Sequence, residues 1–162
     1  MLALSQLRAP AAANAATAIP TGLRVLSPND ARVLTAIADR IAYTGDASMP
    51  RFRDTAGLQV IDGALLQLPA ETVQQLHYAL LLFEYGPPIF DFRFSTFTSL
   101  SDAAKDTSLA GWERSRFMIR QLAFRALKNL SMLGYYSQDA TWSAIHYSGP
   151  WVPRPRRVAG ES

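Results

Sequence analysis

The two histidines are the side chains of this 162-residue protein best suited to general-base or metal-ligand chemistry near neutral pH. His77 and His146 lie far apart, each within a predicted helix, and neither belongs to an HExxH or His-x-x-x-His pattern. An isolated histidine on a helix usually has a structural role. The sequence therefore predicts neither a zinc site nor a histidine-based catalytic centre.

The acidic residues are scattered and show no pairing typical of a general acid and a general base. They include Asp54, Asp62, Glu71, Glu84, Asp91, Asp102, Asp106 and Glu113. Several lie in the first turn of predicted helices or suit ion pairs, and we expect Glu113 to pair with an arginine one helical turn away. The absence of cysteine excludes disulfides, thiolate nucleophiles and cysteine-based metal sites. Nucleotide-binding glycine loops and the GxSxG motif are also missing, so we predict no catalytic, cofactor-binding or metal-binding residue in this chain.

Helical periodicity extends over most of the chain and predicts an all-α, single-domain bundle of about five or six helices. Ser27, Pro28 and Asp30 form a capping-box pattern at the start of the first helix. The apolar stripes of the first three helices are Val33, Leu34, Ile37 and Ile41; Leu58, Ile61, Leu65 and Leu68; and Val73, Leu76, Leu80 and Phe83. Pro69 is expected to end the second helix and to start the third.

The second half of the chain is predicted to contain a loop followed by three helices. Gly86-Pro87-Pro88 is expected to stop the third helix, and the aromatic-rich stretch up to Leu100 is predicted as an irregular loop. A helix begins at Ser101, a long helix ends near Gly134 as its C′ glycine, and a short helix begins at Ser137.

We divide the chain into three parts. Residues 1–24 are Ala-rich and are interpreted as a flexible arm or strap, residues 25–152 as the helical domain, and residues 153–162 as a Pro- and Arg-rich tail. No apolar run approaches the roughly 20 residues that span a bilayer, and the start of the chain lacks the pattern of a signal peptide. A net charge of +3 is weak support for nucleic-acid binding.

The segment GWERSRFMIRQLAFRALKNL, residues 111–130, mixes five basic side chains with many apolar ones. As one helix, it presents a core face composed of Trp112, Ile119, Leu122, Ala123, Ala126, Leu130 and Leu133, widened by Met118 and Leu127. Phe117 and Phe124 lie on the opposite, basic half, flanked by Arg120 and Lys128. A helix that is apolar on both sides is central in its fold, covered by a partner, or both.

The stretch from Ser99 to Trp151 resembles the family of gluconate 2-dehydrogenase subunit 3. The similar elements are a Leu-Ser helix start, Trp-Glu-x-Ser at 112–115, Phe-Arg-Ala-Leu-Lys at 124–128, Tyr-Tyr-Ser at 135–137 and Tyr-x-Gly-Pro-Trp at 147–151. With LSPNDARVLTAIADRI from Leu26, the resemblance spans about residues 26–151. The chain is also similar to the helical segment that precedes the flavin domain in long-chain alcohol oxidases of the glucose–methanol–choline class.

This resemblance implies a non-catalytic small subunit that binds an FAD-dependent alcohol or sugar dehydrogenase or oxidase in a hetero-oligomer. The small chain would stabilise that catalytic subunit, or help it to fold or to be exported, and FAD would reside in the partner. Our candidates for contact with the partner are Phe117, Arg120, Phe124, Lys128 and Trp151. The resemblance implies the periplasm, but no twin-arginine signal is visible in the sequence. Either a longer precursor has been trimmed, or the complex stays in the cytoplasm.

Two other functions stay open at the level of sequence. A stand-alone helical enzyme or ligand-binding protein would use the aromatic stretch from Phe90 to Phe97 as a pocket wall. A nucleic-acid-binding protein would use Arg154, Arg156 and Arg157 of the tail, and its binding would weaken steeply with salt.

Overall fold

A computed structural model describes residues 20, 22–42, 45–46, 48–90, 94–142 and 147–148. Within these ranges the protein has six α-helices and no strand, which confirms the predicted all-α, single-domain fold. The helices are α1 (Pro28–Ile41), α2 (Gly57–Leu65), α3 (Ala70–Glu84), α4 (Gly86–Phe90), α5 (Asp102–Glu113) and α6 (Met118–Tyr136). Three short 3₁₀ turns occupy Phe52–Asp54, Phe97–Ser99 and Asp139–Thr141.

The first helix begins as its capping-box sequence predicts. The Ser27 hydroxyl accepts a hydrogen bond from the Asp30 N–H at 3.1 Å, and the Asp30 carboxylate accepts one from the Ser27 N–H at 3.1 Å. The predicted apolar face of α1 is fully buried at Val33, Leu34 and Ile37. Because α1 contacts α3, α5 and α6, it forms the centre of the core.

The apolar stripes of α2 and α3 are buried as predicted, except near the helix ends. Leu58, Ile61 and Leu65 are buried, but Leu68 is exposed because α2 ends at Leu65 and the chain turns before Pro69. Pro69 is the N-cap residue of α3 and so starts that helix as expected.

The prediction that Gly86-Pro87-Pro88 opens an irregular loop is wrong for its first residues. The chain breaks only at Tyr85 and then forms α4, a five-residue helix. The two prolines fit because they lie in the first turn of α4, where backbone N–H groups have no intrahelical partner in any case. Gly86 is required by packing, since a Cβ there would lie 2.8 Å from the Trp112 ring.

The segment 111–130 is not one helix. Helix α5 ends at Glu113, and α6 begins at Met118. Ser115 holds the break, since its hydroxyl accepts from the Phe117 N–H at 3.2 Å and its carbonyl accepts from the Gln121 side chain at 2.8 Å. Gly134 is not a C′ glycine either, because it lies inside α6 and is buried. The chain beyond α6 forms the 3₁₀ turn at 139–141 where a short α-helix was predicted.

Asp62 of α2 holds the segment that leads into α1. Its carboxylate accepts hydrogen bonds from the N–H groups of Arg24, Val25 and Leu26 at 2.8, 2.9 and 2.8 Å. Burial by itself raises the pKa of Asp62, but the three donors and the Arg24 charge outweigh it and hold the pKa below its ordinary value. The stabilisation is therefore present at neutral pH and is lost as the pH falls through that lowered pKa.

Candidate protein-binding surface

Helix α6 packs its inner face against α1, α2 and α5. That face is formed by Arg120, Ala123, Phe124, Leu127, Ser131, Gly134 and Tyr135. The predicted core face is therefore only partly right. Ala123 and Leu127 are buried, but Met118, Ile119, Leu122, Ala126 and Leu133 are exposed.

The error has a structural cause in the break between α5 and α6. Trp112 is fully buried, but it belongs to α5 and does not share a face with residues of α6. Once Trp112 is removed from the pattern, α6 has apolar side chains on two arcs. Helical periodicity alone does not choose between two such arcs.

Close packing with α2 selects the inner arc. A Cβ at Gly134 would lie 2.8 Å from Ile61 Cδ1 and 2.9 Å from the Gly57 carbonyl oxygen. The two helices thus approach each other at a position where only glycine fits. The opposite arc contains no glycine and faces outward.

The outward arc is an apolar stripe, which we define as Met118, Ile119, Leu122, Ala126 and Leu133. At 3.6 residues per turn these five side chains fall within about 100° of the helix circumference. Met118, Ile119, Leu122 and Leu133 are 73, 64, 52 and 48% exposed. Asn129 is exposed within the same arc. Isolated apolar residues are common on protein surfaces, but five apolar side chains on one arc of a helix are typical of an interaction surface.

The structure places the five predicted contact residues in different environments. Phe117 is the N-cap residue of α6 and is 62% exposed, so it extends the apolar surface at the amino end of the stripe. Phe124 is buried, and the prediction that it shares an exposed line with Phe117 is wrong. Lys128 lies at the surface, with its ammonium 3.7 Å from Glu113 and 5.6 Å from the Phe124 ring centroid. Trp151 lies outside the described residues.

The partner of Glu113 also differs from the prediction. We expected an arginine one turn away on the same helix, but the carboxylate pairs with Lys128 of α6. The break at Ser115 turns α6 back along α5, and this brings the two side chains together across the helix pair. Both are about half exposed, which makes the pair a weak contributor to stability.

Arg120 is the least expected feature of this region. It lies in the first turn of α6 and is only 9% exposed. The guanidinium carbon lies 4.5 Å from the ring centroid of Phe90 and 4.7 Å from that of Trp112. Its Nε atom is buried without a hydrogen-bond partner, and among the described residues no carboxylate pairs with it.

The aromatic residues around Arg120 belong to the core. Trp112 stacks on Phe83 with ring centroids 3.9 Å apart, and Phe90 meets Trp112 edge to face at 6.0 Å. Phe97 is buried edge to face against Phe83, whereas Phe94 is fully exposed. In the part of the 90–97 stretch that the structure describes, the inward aromatic rings therefore pack against each other.

Two of the other titratable groups, His77 and Glu84, form structural contacts. His77 Nδ1 lies 2.9 Å from an Asp30 oxygen and links α3 to the cap of α1. Glu84 is 2% exposed and accepts hydrogen bonds from Arg32 and from the N–H and hydroxyl of Thr98. His146 lies outside the described residues. The described chain contains no group of His, Asp and Glu side chains that could hold a metal ion.

An open groove of about 710 Å³ lies beside the end of α1. The groove is lined by three acidic residues, Asp39, Asp46 and Asp54, and also by Arg51 and the buried Phe52. Asp39 is engaged by Arg53, whose side chain and backbone N–H both donate to it. Because this carboxylate is already satisfied, the groove is a weaker candidate for function than the surface of α6.

Searches with the chain against protein-family models, curated proteins and solved structures find no match. The resemblance to the small-subunit family therefore stays a prediction. Within the described ranges, no helix combines the length and the apolar character needed to cross a membrane. The outward face of α6 is the surface whose composition most needs a functional explanation.

Proposed function

We propose that this chain is a non-catalytic subunit that binds and stabilises an FAD-dependent catalytic subunit oxidising an alcohol or a sugar. The apolar stripe of α6 is the contact surface in this proposal. The exposure of that stripe is the observation that supports a protein partner. The flavin-dependent nature of the partner is supported by the sequence resemblance alone.

The energetics favour covering the stripe. A fully exposed leucine, isoleucine or methionine gains about 1.5–3 kcal/mol when it is buried, so each half-exposed stripe residue would gain about 1–2 kcal/mol. Helix α6 has 19 residues and is therefore about 28 Å long. A surface of this length, extended by Phe117, is large enough to form the centre of an interface of about 1,000 Å².

The same surface explains why the basic residues of α6 lie at its edges. Arg125 and Lys128 are exposed on the side of α6 next to the stripe. Interfaces commonly surround an apolar centre with a charged rim, where long side chains contact water and the partner together. A solvated helix would place polar residues along the whole outward face, whereas the arc of the stripe contains no charged residue and one amide, Asn129.

The test is co-expression of the chain, carrying an affinity tag, with the neighbouring open reading frames. We expect a yellow complex with a flavin spectrum and a second, larger polypeptide. A colourless, soluble and well-folded monomer, recovered from every co-expression, would contradict the proposal.

A matched pair of leucine variants locates the contact surface. Leu122→Glu introduces a charge into the stripe and should abolish capture of the flavoprotein. Leu68→Glu is the control, because Leu68 is 44% exposed and lies outside any helix, between α2 and α3. Both variants should retain the helical circular dichroism spectrum, and equal capture by both would exclude the stripe as the interface.

A further inference from the structure

The ion pairs of this protein show an imbalance at Arg120. The Arg40 side chain is 15% exposed and is paired with two carboxylates, Asp102 at 3.2 Å and Asp106 at 2.6 Å. Arg120 is buried to a similar degree, yet it has no carboxylate partner among the described residues. Its contacts are two aromatic faces, which attract a cation, and its buried Nε–H has no acceptor among the described residues.

We propose that Arg120 receives a carboxylate from an aspartate or glutamate side chain of the catalytic subunit. This inference rests on the proposed function, because it requires that a protein covers the amino end of α6. A buried charge is normally paired, and an arginine is kept in such a place when a planar group binds its fork of donors. The missing group is therefore an acidic side chain presented by the partner.

The surroundings of Arg120 define what the partner must present. Phe117, Met118 and Ile119 flank it in sequence, and all three are more than 60% exposed. The partner segment that binds here would carry its acidic residue between apolar side chains. Binding would then remove water from the apolar side chains of both proteins. The ion pair would then form in a dry environment, where attraction between opposite charges is stronger than at a wet surface.

The two aromatic rings hold the Arg120 guanidinium in one orientation before a carboxylate binds. Contact with both Phe90 and Trp112 limits its rotation, so that less conformational freedom is lost when the carboxylate binds. Phe90 belongs to α4 and Trp112 to α5, so three helices position one side chain. This construction would be unusual for an arginine that serves solubility alone.

The experiment compares Arg120→Met with Arg51→Met in two measurements. Arg51 is an exposed arginine outside α6, at the start of the 3₁₀ turn Phe52–Asp54, and is the control. In the isolated chain, Arg120→Met should leave the melting temperature unchanged or raise it by about 2–4 °C, because methionine fills the space without an unpaired buried charge. In the complex, the same change should weaken affinity for the flavoprotein about 30-fold or more, whereas Arg51→Met should weaken it less than about threefold.

Arg120→Lys provides a further test of geometry. Lysine keeps the charge but cannot form two parallel hydrogen bonds with one carboxylate, so its affinity should fall between those of the wild type and Arg120→Met. An affinity equal to the wild type in Arg120→Met would overturn the inference while leaving the proposed function intact. Failure of the wild-type chain to capture any flavoprotein would overturn both.

Two outcomes would assign the carboxylate to another source and so overturn the inference. Asp91 directly follows Phe90 in the sequence. If Arg120→Met and Asp91→Asn each lower the melting temperature and the double variant lowers it no further, the carboxylate that pairs with Arg120 belongs to this chain. A homodimer of the isolated chain that dissociates in Arg120→Met would place it in a second copy. Sedimentation and thermal melting of the purified chain distinguish these results from the expected one.

Discussion

The two faces of α6 both contain apolar side chains and have opposite environments. The inner face includes the small residues Ala123, Ser131 and Gly134, and it packs against α1, α2 and α5. The outer face, the apolar stripe, is exposed. The difference teaches that apolar character alone does not decide which face a helix turns inward, because close approach to a neighbouring helix is also needed. Glycine at position 134 allows that approach, and nothing comparable exists on the stripe.

The largest expected difference is in the free energy of unfolding, between alanine substitutions of two leucines of the same helix. Leu127 is fully buried on the inner face, whereas Leu122 is 52% exposed on the stripe. Leu127→Ala should lower the free energy of unfolding of the isolated chain by about 2–5 kcal/mol, since it leaves a cavity in the core. Leu122→Ala should change it by less than about 0.5 kcal/mol. Urea denaturation followed by circular dichroism measures both values.

Similar losses from the two leucine variants would remove the distinction between the faces. In that case the stripe would be covered within the isolated chain, and its exposure would no longer support a partner. Within the complex the ranking should change. There Leu122→Ala should reduce affinity for the partner, while Leu127→Ala acts through stability alone.

A second pair of variants tests the role of close approach. Gly134→Ala should lower the free energy of unfolding by about 1–3 kcal/mol, because the new Cβ would meet Ile61 and the Gly57 carbonyl. Gly111 lies in α5, with open space around the position of a Cβ. Gly111→Ala should therefore raise stability by up to about 1 kcal/mol through helix propensity. A loss of stability in Gly134→Ala together with a gain in Gly111→Ala would show that packing, rather than the backbone freedom of glycine, determines which face of α6 points inward.

Sequence reasoning succeeded where a local signal had a local consequence. The capping box at Ser27 and the apolar face of α1 were predicted because each depends on residues within four positions of one another. The cap of α5 at Ser101 has the same origin. The break between α5 and α6 also had a local signal, since serine favours turns and caps over helix interiors. The apolar periodicity continues across Ser115 and so masks this signal for a helix break.

The environment of Arg120 could not be predicted in the same way. Its burial depends on Phe90 and Trp112, which come from two other helices and meet only after the chain has turned back at Ser115. The inner position of Phe124 follows from the same turn. Asp62 provides a parallel case, because its three backbone partners lie 36 to 38 residues away and no spacing pattern marks them. The composition of residues 111–130 shows an aromatic and basic region. Which of its side chains are buried and which are exposed depends on tertiary packing.

The smallest expected effect concerns Lys128, at the edge between the two faces. Its ion pair with Glu113 is about half exposed, so Lys128→Ala should lower the free energy of unfolding by less than about 1 kcal/mol. High salt should reduce even this difference, because exposed charges are screened. If Lys128 belongs to the rim of the interface, the variant should slow association with the flavoprotein at low salt and leave dissociation nearly unchanged. An effect on dissociation alone would instead place Lys128 under the partner, and the boundary of the contact surface would then extend from the stripe across the edge of α6 toward α5.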